Sequence, residues 1–281
     1  MTDDMKHYIP VLTVAGSDSS GGAGIQADIK TISAIGCYAM SAITAITAQN
    51  TCGVTAIQGI DPKVVSAQIS AVCSDIPPLA AKTGMLFSRD IVMSVADSFE
   101  QFRIPHLVID PVMVSTSGSR LMTDDAVEAI VERLFPLAEL VTPNQAEAVA
   151  LTGVTDPMEQ ARKFIEMGCR NVLLKGGDTD RSDMKIDYLY LYGEDDLITL
   201  TADAVNTLNT HGTGCTLSAA IASYLSLGMD LTDAVMRGKL FVTRALQSGA
   251  KVRTGHGHGP VNHLFNPRHS KYMTSYEDKN K

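Results

Sequence analysis

A glycine-rich stretch, "NTHGTGCTLSAA" at 209–220, has the composition of a phosphate-binding loop. Gly212 and Gly214 allow successive backbone N–H groups to point the same way, and the alanine-rich run after them predicts a helix. The first turn of a helix leaves N–H groups unpaired at the positive end of the helix dipole. The stretch therefore predicts an anion site, with Cys215 where the loop becomes the helix.

The chemical role of Cys215 stays open at this point. A helix N-terminus favours the thiolate of a cysteine, which suits a base or a nucleophile. A buried, inert cysteine fits the same pattern. His211 is close in sequence and suggests a Cys–His hydrolase, but "GTGCT" differs from the G-x-[SC]-x-G nucleophile elbow and no third, orienting residue is evident.

A second glycine-rich stretch lies near the start of the chain. "GAGIQA" at 22–27 fits the dinucleotide fingerprint, which also needs an acid about 20 residues further on. None lies between Asp28 and Asp61, which argues against an NAD-dependent oxidoreductase. "GSDSSGGA" at 16–23 has Gly22 where a Walker A loop needs lysine. These glycines are therefore also consistent with nothing more than a tight turn.

Polar residues follow several predicted strands, where ligands bind in open α/β sheets. "HLVID" at 106–110 ends in an acid, and "NVLLK" at 171–175 ends in a lysine. "TPNQAEA" at 142–148 predicts a helix start with Thr142 to Gln145 as its capping box. "GHGHGPVNH" at 255–263 has three histidines but no nearby carboxylates, so we expect a tight loop rather than a structural metal site.

Strands and helices alternate along the chain. The predicted strands are 9–16, 38–48, 54–60, 79–86, 106–110, 139–142 and 171–175, with a hairpin over 186–203. The predicted helices are 25–36, ending at Gly36, and those near 62–74, 88–102, 123–135, 143–152, 156–167, 213–227 and 231–250. This order predicts an α/β fold with a mainly parallel sheet covered on both faces. Without a linker or repeat, we expect one domain over 1–267 and a polar, frayed tail over 268–281.

The composition excludes several classes of protein. The 281 residues are 45% hydrophobic, and the formal net charge of -8 without a long basic run argues against nucleic-acid or acidic-membrane partners. Five cysteines without a CxxC pair exclude a disulfide framework and a zinc ribbon. The start, "MTDDMKHYIP", carries acids and lacks a long apolar stretch, so we expect no signal peptide there, and no run approaches the roughly 20 apolar residues of a membrane helix. We therefore expect a reduced, cytoplasmic protein with no membrane segment.

Eight separated motifs carry a family resemblance: "AGSDSSGGAGIQADIKT", "AQNTCGV", "KTGML", "DPVM", "TPNQAEA", "LLKGG", "NTHGTGCTLSAA" and "GHGHGPVNH". Together they resemble the ribokinase-like superfamily, and most closely its bacterial hydroxymethylpyrimidine/phosphomethylpyrimidine kinases of thiamin biosynthesis. The similarity runs from about residue 10 to residue 265. It implies a three-layer α/β/α domain that moves the γ-phosphoryl group of ATP to 4-amino-5-hydroxymethyl-2-methylpyrimidine, and then phosphorylates the monophosphate to the diphosphate.

The resemblance also implies roles for residues around the pyrimidine. Gln49 of "AQN" would read the aminopyrimidine, because an amide offers an acceptor and a donor side by side. Asp28 would contact the hydroxymethyl group, although a solvent-facing helix acid is its simpler interpretation. Gly16 would let the ligand approach the first strand, and Met85 would form an apolar wall against the ring.

Further roles concern ATP and its metal ion. The family pattern implies that Asn144, Glu147 and Asp110 hold Mg²⁺, largely through water. Lys175, Asn206, Thr207 and Thr210 would bind the nucleotide, and Gly212, Thr213 and Gly214 would cradle the transferring phosphoryl group. Cys215 would accept or orient the proton of the attacking hydroxyl.

Two alternatives remain beside the pyrimidine kinase. A pyridoxal kinase on the same scaffold would also act on a hydroxymethyl group of a six-membered aza-ring. A non-catalytic pyrimidine-sensing module would not need the "HGTGC", "KGG" and N-x-x-E motifs, which handle a γ-phosphate. The resemblance further implies a homodimer.

Overall fold

The structure is a computed structural model that describes residues 6–113, 121–176 and 183–274. Its strands are β1 (His7–Tyr8), β2 (Pro10–Asp18), β3 (Tyr38–Asn50), β4 (Gly53–Gly59), β5 (Ala80–Thr83), β6 (His106–Ile109), β7 (Leu140–Val141), β8 (Val172–Leu174), β9 (Met184–Tyr190), β10 (Ile198–Asp203) and β11 (Tyr272–Met273). Its α-helices are α1 (Gly24–Ile35), α2 (Pro62–Asp75), α3 (Arg89–Phe102), α4 (Asp124–Ala129), α5 (Gln145–Thr152), α6 (Pro157–Glu166), α7 (Thr213–Ser226) and α8 (Leu231–Gly249).

One large sheet organises the described residues. Its nine strands have the order β10-β9-β8-β7-β6-β5-β2-β3-β4. The pairings from β8 through to β3 are parallel, whereas β4, β9 and β10 join in antiparallel fashion. The predicted hairpin is therefore confirmed as β9 and β10. All parallel strands end at the same edge, and this edge carries the candidate site.

Two apolar cores lie on opposite faces of the sheet. Ile32 of α1, Ile221 of α7 and Val235 of α8 belong to one buried cluster. The other contains buried side chains from α2 to α6, such as Ile69 and Phe164. Most side chains of the strands between them are apolar on both faces, as expected of a covered parallel sheet. The predicted three-layer α/β/α fold is confirmed.

Most predicted helices are observed, and two differ instructively. The helix expected near 123–135 is α-helical only to Ala129, continues as a π-helical turn over Ile130–Leu134, and gives way to a 3-10 turn at Phe135–Leu137. Pro136 lacks an N–H group and cannot continue an α-helix. The helix expected from residue 143 begins at Gln145, because Asn144 rather than Thr142 is its N-cap.

The C-terminal tail differs from the sequence prediction where it is described. We predicted fraying from residue 268, but β11 pairs antiparallel with β1. Met273 is buried, and the ring of Tyr8 lies 5.4 Å from that of Tyr38 and 5.3 Å from that of Tyr272. Backbone pairing and ring packing thus outweigh the polar composition. Residues 275–281 lie outside the described residues, and the single domain over 1–267 stays a prediction.

Candidate active site

A cavity of about 640 Å³ opens at the carboxyl ends of the parallel strands. The loops after β2, β6 and β8 contribute to its wall, together with the first turns of α5 and α7. Most predicted site residues line it: Gly16, Gln49, Met85, Asp110, Asn144, Glu147, Lys175, Thr210, Gly212, Thr213, Gly214 and Cys215. Residues as far apart in sequence as Gly16 and Cys215 therefore meet in one space.

Three predicted site residues do not line this cavity. Asp28 is fully buried beneath it and pairs with Lys82, so both the substrate contact and the solvent-facing interpretation are corrected. Asn206 is exposed outside the cavity. Thr207 turns its hydroxyl to the carbonyl oxygen of Ala250 at 3.2 Å. Their nearness to Thr210 in sequence does not bring them to the cavity, because the chain turns between them.

The N-terminus of α7 has the geometry of an anion site. Its N-cap, Gly212, has φ 80° and offers no capping side chain, and its Cα lies against the carbonyl oxygen of Gly22. The N–H groups of Gly214 and Cys215 are in the first turn, where a helix supplies no acceptor. A Cβ on Gly214 would lie 3.4 Å from Lys175 Nζ and 3.5 Å from Asp110 Oδ2. Because Gly214 has no side chain, the space between the N-terminus of α7 and the ammonium group of Lys175 stays open.

Three charged side chains face this space. Lys175 Nζ lies 2.8 Å from Asp110 Oδ1, and Thr142 also donates its hydroxyl hydrogen to this oxygen, at 3.2 Å. Burial alone would lower the pKa of Lys175, but Asp110 and Glu147 raise it above its usual value. Burial raises the pKa of Glu147 to about 7, against the lowering effect of Lys175. The cluster has more buried carboxylate than positive charge to balance it.

The oxygen donors of this cluster fit Mg²⁺ held through water. Asn144 and Glu147 form a capping box: Asn144 Oδ1 accepts from the N–H of Glu147, and Glu147 Oε2 accepts from the N–H of Asn144. Each of these oxygens keeps a second lone pair, and carboxylate oxygens suit a hard cation. The raised pKa of Glu147 also indicates that added positive charge is favourable there. In the described part of the chain, no three His, Cys, Asp or Glu side chains converge as a direct metal cage.

Cys215 lines the cavity as a thiol rather than a thiolate. Burial raises its pKa to about 11, although Lys82 and the N–H of Gly24 lower it, while Asp28 and Asp110 raise it further. Burial therefore outweighs the neighbouring groups that favour the thiolate. His211 does not serve as its base, because that ring hydrogen-bonds with Asp18 instead. This geometry argues against the Cys–His hydrolase.

Gln49 lies in the cavity wall beside His211, and Thr47 donates its hydroxyl hydrogen to Gln49 Oε1 at 3.0 Å. Burial would raise the pKa of Asp18, but hydrogen bonds from His211, Ser20 and the N–H of Ala23 lower it to about 2. His211 Nε2 therefore donates to the ionised Asp18 Oδ2, 2.8 Å away. The same nitrogen lies 3.3 Å from Gln49 Nε2 and cannot accept from it as well. The amide N–H of Gln49 thus stays available to an acceptor on a ligand.

Asp18, His211 and Lys82 are the important residues that sequence reasoning missed. Asp18 begins an Asx turn, and a short acid before "SSGGA" could have suggested one. Lys82 lies in the apolar run "LAAKTG", where a lone lysine predicts a buried ion pair. The role of His211 had no local signal, because its partner Asp18 is 193 residues away.

The "GHGHGPVNH" segment forms a loop, as expected, and packs on the tip of the β3–β4 hairpin. The N–H groups of Gly257 and His258 donate to the hydroxyl and carbonyl oxygens of Thr51. His256 and His258 are exposed, whereas His263 is buried with Nε2 lacking a hydrogen-bond partner among the described residues. Burial lowers the pKa of His263 to about 4, so it packs as a neutral ring.

A helix start with unpaired N–H groups, a lysine and carboxylates in one cavity of an α/β/α fold are the features expected of a nucleotide-dependent kinase of small molecules. Over residues 18–262 the chain matches the family described as phosphomethylpyrimidine kinase, and it belongs to that family. A hydroxymethylpyrimidine/phosphomethylpyrimidine kinase of Rhizobium meliloti is 47% identical over 259 residues, which are 90% of this chain and 96% of that protein. The predicted family and kinase class are confirmed.

Longer and more distant relatives extend the comparison. A thiamine biosynthesis bifunctional protein of Geobacter sulfurreducens is 47% identical over 260 residues, 91% of this chain but only 52% of that protein. The crystal structure of a phosphomethylpyrimidine kinase from Clostridium difficile has a TM-score of 0.74 and 43% identity, covering 85% of this chain and 99% of that one. A Staphylococcus aureus pyridoxal kinase in complex with AMP-PCP and pyridoxal has a TM-score of 0.82 and 33% identity, covering 92% and 94%. Among the described residues, no helix is long and apolar enough to cross a membrane.

Proposed function

We propose that the chain transfers the γ-phosphoryl group of ATP to hydroxymethylpyrimidine, and then phosphorylates the resulting monophosphate to the diphosphate. The observation that carries this proposal is the shared cavity of Gln49 and the N-terminus of α7. One end offers the hydrogen bonds of an aminopyrimidine, and the other offers the donors of a phosphate. The names of the family and of its relatives at 47% identity agree with this reaction.

The pyrimidine end binds and orients the acceptor. The free amide N–H of Gln49 donates to a ring nitrogen, and its oxygen accepts from the adjacent 4-amino group. Met85 is buried and packs with its sulfur beside Gly16, where a Cβ would come within 3.3 Å of Sδ. Gly16 thus makes room for Met85 as well as for the ligand, and Met85 forms the wall on which the ring lies.

The phosphate end neutralises the transferring group. The N–H groups of Gly214 and Cys215 and the ammonium of Lys175 surround the position of the γ-phosphate. Asp110, Glu147 and Asn144 would hold Mg²⁺ through water. When bound, Mg²⁺ supplies charge neutralisation of the phosphate oxygens. Thr210 lines the same region and fixes the loop, since its carbonyl oxygen accepts from the Thr213 hydroxyl at 2.7 Å.

Cys215 positions the acceptor hydroxyl and does not act as a nucleophile. A thiol with a pKa of about 11 is protonated near neutral pH and is a poor base there. Phosphoryl transfer has a loose transition state, so it demands little of a base and depends more on position and charge. The thiol therefore fixes the hydroxyl against the phosphate, and its proton loss is not required before the transfer.

A second candidate substrate is pyridoxal, and one observation supports it. The likeness to a pyridoxal kinase covers nearly the whole chain at 33% identity. Pyridoxal also carries a hydroxymethyl group on a six-membered aza-ring, but it lacks the 4-amino group that Gln49 would recognise. We therefore place pyridoxal below hydroxymethylpyrimidine.

The test offers the purified protein Mg·ATP with hydroxymethylpyrimidine, its monophosphate and pyridoxal in parallel, and follows ADP release. We expect turnover on the first two substrates. Gln49→Leu should raise KM for the pyrimidine and leave KM for ATP unchanged. Absence of turnover on both pyrimidines would reject the proposal, and pyridoxal as the better substrate would replace it with the second candidate.

The assembly and location predicted from the sequence are part of the proposal. We infer a single kinase domain over 1–267 that works as a homodimer in the cytoplasm. Ile46 of β3, the strand next to the edge strand β4, is 50% exposed and is a candidate contact for self-association. Light scattering of the purified protein should give twice the mass of 30.0 kDa, and the monomer mass would exclude the dimer.

A further inference from the structure

A carboxylate in the cavity wall joins the turn after β8 to two other elements. Asp187 of β9 accepts a hydrogen bond from the N–H of Gly176 at 2.9 Å through Oδ1. Its Oδ2 lies 2.6 Å from Nζ of Lys239, which is in α8. The side chains of Asp187 and Lys239 are each 11% exposed, so water competes little for these bonds. All three residues line the cavity, whereas the contacts proposed for the pyrimidine and the phosphate use other residues.

The turn after β8 carries Lys175, the cation of the proposed phosphate site. The ladder between β8 and β9 ends one residue earlier, so other bonds hold the backbone here. The N–H of Lys175 donates to the carbonyl oxygen of Pro143 at 2.9 Å, and the N–H of the next residue, Gly176, donates to Asp187. Gly176 also packs so closely on the carbonyl group of Ile186 that a Cβ would overlap it. The backbone at Lys175 is therefore held from two sides, on one of them by a side chain.

The bond to Asp187 fixes the peptide unit between Lys175 and Gly176. A peptide unit is planar, so an acceptor held at its N–H restricts the rotation of the whole unit. Lys239 keeps the carboxylate in place through a charge-assisted bond to its second oxygen. A displacement of about 1 Å in the reacting geometry can lower a rate about 100-fold. A fixed peptide unit at this point therefore matters for Lys175, whose ammonium must meet the phosphate.

We propose that Asp187 is a positioning residue that acts on Lys175 through the backbone of Gly176. Its carboxylate, held by Lys239, keeps the ammonium of Lys175 beside the N-terminus of α7, where Nζ lies 2.8 Å from Asp110 Oδ1. This deepens the proposed function, on which it rests, because it gives the cation at the γ-phosphate a support built from β9 and α8. The simpler role for the ion pair would be to join β9 to α8 without any effect on catalysis.

The two oxygens of Asp187 allow these roles to be separated. A purely structural role depends on the ion pair with Lys239, whereas positioning depends on an acceptor for the N–H of Gly176. Asp187→Asn/Lys239→Met removes the ion pair but keeps an amide oxygen as the acceptor. Asp187→Leu/Lys239→Met removes the ion pair and the acceptor with a side chain of similar size. Neither double variant leaves an unpaired buried charge, which would itself destabilise the fold strongly.

The experiment compares the two double variants by steady-state kinetics with Mg·ATP and hydroxymethylpyrimidine. We expect kcat of the leucine variant to lie about tenfold or more below that of the asparagine variant, as for a displaced charge at the reacting group. KM for the pyrimidine should be equal in the two. Titration calorimetry with ADP and with AMP-PCP follows the same difference without turnover. The leucine variant should lose more affinity for AMP-PCP than for ADP, because Lys175 faces the position of the γ-phosphate.

Two outcomes would overturn the positioning role. Equal kcat and equal AMP-PCP affinity in the two double variants would leave a purely structural ion pair. An equal loss of affinity for ADP and AMP-PCP in the leucine variant would show general damage to the nucleotide site. If the leucine variant does not fold, Asp187→Ser/Lys239→Met replaces it, because the shorter hydroxyl does not reach Gly176, and the same comparison decides. A parent protein that binds AMP-PCP but turns over neither pyrimidine would reject the proposed function, whereas the calorimetry would still decide the role of Asp187.

Discussion

Two glycine-rich loops precede two helices at the same edge of the sheet, yet they differ in what fills them. In the loop before α1, the carboxylate of Asp18 accepts from the N–H groups of Ser20, Gly22 and Ala23 at 2.8–3.1 Å. The chain thus fills this anion site with its own acid. In the loop before α7, the N-cap is glycine and the first turn faces the cavity. A loop that contains its own acid therefore forms a structural turn, whereas a loop without one leaves its N–H groups available to a ligand.

This comparison explains why the two loops are easily confused in the sequence. Both have paired glycines before an apolar helix, and both would satisfy a search for phosphate loops. The loops also contact each other: a Cβ on Gly22 would meet the ring of His211, and one on Gly212 would meet the carbonyl oxygen of Gly22. The loop before α1, filled by Asp18 and called the closed loop below, therefore supports the loop before α7, called the open loop because its helix start faces the cavity.

The largest expected effect is that of filling the open loop. Gly214→Ala places a methyl group between Lys175 and Asp110, at contact distances of 3.4 and 3.5 Å that the folded protein tolerates. The methyl group takes the space of the phosphoryl group, so we expect kcat/KM to fall on the order of 100-fold, as on losing an anion-hole donor. The melting temperature should change little.

Gly212→Ala is the matched control for this variant. Its φ of 80° and the close approach of Gly22 make any side chain strained, so this variant should lose stability as well as activity. Steady-state kinetics and thermal melts of both variants separate the two effects. A Gly214→Ala enzyme with nearly normal kinetics would place the phosphate elsewhere.

The next effect concerns the closed loop. Asp18→Asn removes the charge that three backbone N–H groups and His211 require. With its pKa lowered to about 2, ionised Asp18 contributes about 2 kcal/mol to stability. This contribution is complete above pH 3.8, the usual value, and is lost as the pH falls through about 2. We therefore expect Asp18→Asn to lose about 2 kcal/mol of unfolding free energy at neutral pH.

Chemical denaturation at pH 7 measures this loss, and Asp61→Asn serves as the control. Asp61 is an exposed N-cap of α2, where asparagine caps equally well. Because Asp18 holds His211 beside Gln49, KM for the pyrimidine should rise in Asp18→Asn while KM for ATP stays constant. Equal stability of the two variants would mean that the turn does not need the charge of Asp18.

The sequence predicts local structure well here and long-range partners poorly. Gly36 was expected to end α1 and does so with φ 99°, because that conformation depends on one residue. The partner of Asp28 is 54 residues away, and no local pattern distinguishes a buried helix acid from an exposed one. The cap of α5 shows the same limit at short range, since both Thr142 and Asn144 are acceptable N-caps in sequence and packing selects Asn144.

The N-terminus of a third helix, α5, is intermediate between these two cases, because its own acid, Glu147, occupies it only in part. Burial raises the pKa of Glu147 to about 7, so its stabilising effect is complete below its usual pKa of 4.5 and is lost as the pH rises through 7. Glu147→Gln keeps the capping box and removes the titration. Between pH 5 and pH 8, the unfolding free energy of the parent should therefore fall relative to the variant, on the order of 1 to 3 kcal/mol.

Urea denaturation at these two pH values measures the difference. Added Mg²⁺ should reduce it in the parent and not in the variant, because a cation beside Glu147 favours the carboxylate. Parallel pH curves for the two proteins would contradict the raised pKa, and an unchanged difference with Mg²⁺ would separate Glu147 from the metal.

We expect the smallest effect on kcat from substitutions that remove the thiol of Cys215. In the open loop, the N–H group of Cys215 belongs to the backbone and survives substitution, whereas only the side chain is lost. Cys215→Ser keeps a hydrogen-bonding group at the position and should retain kcat within about tenfold, and Cys215→Ala should lose somewhat more. Both losses should be smaller than that of Gly214→Ala, since the phosphate site contributes more to the barrier than the group beside the hydroxyl. A rate of Cys215→Ala below that of Gly214→Ala would reverse this order, and would make the thiol rather than the backbone cradle the main catalytic feature of the open loop.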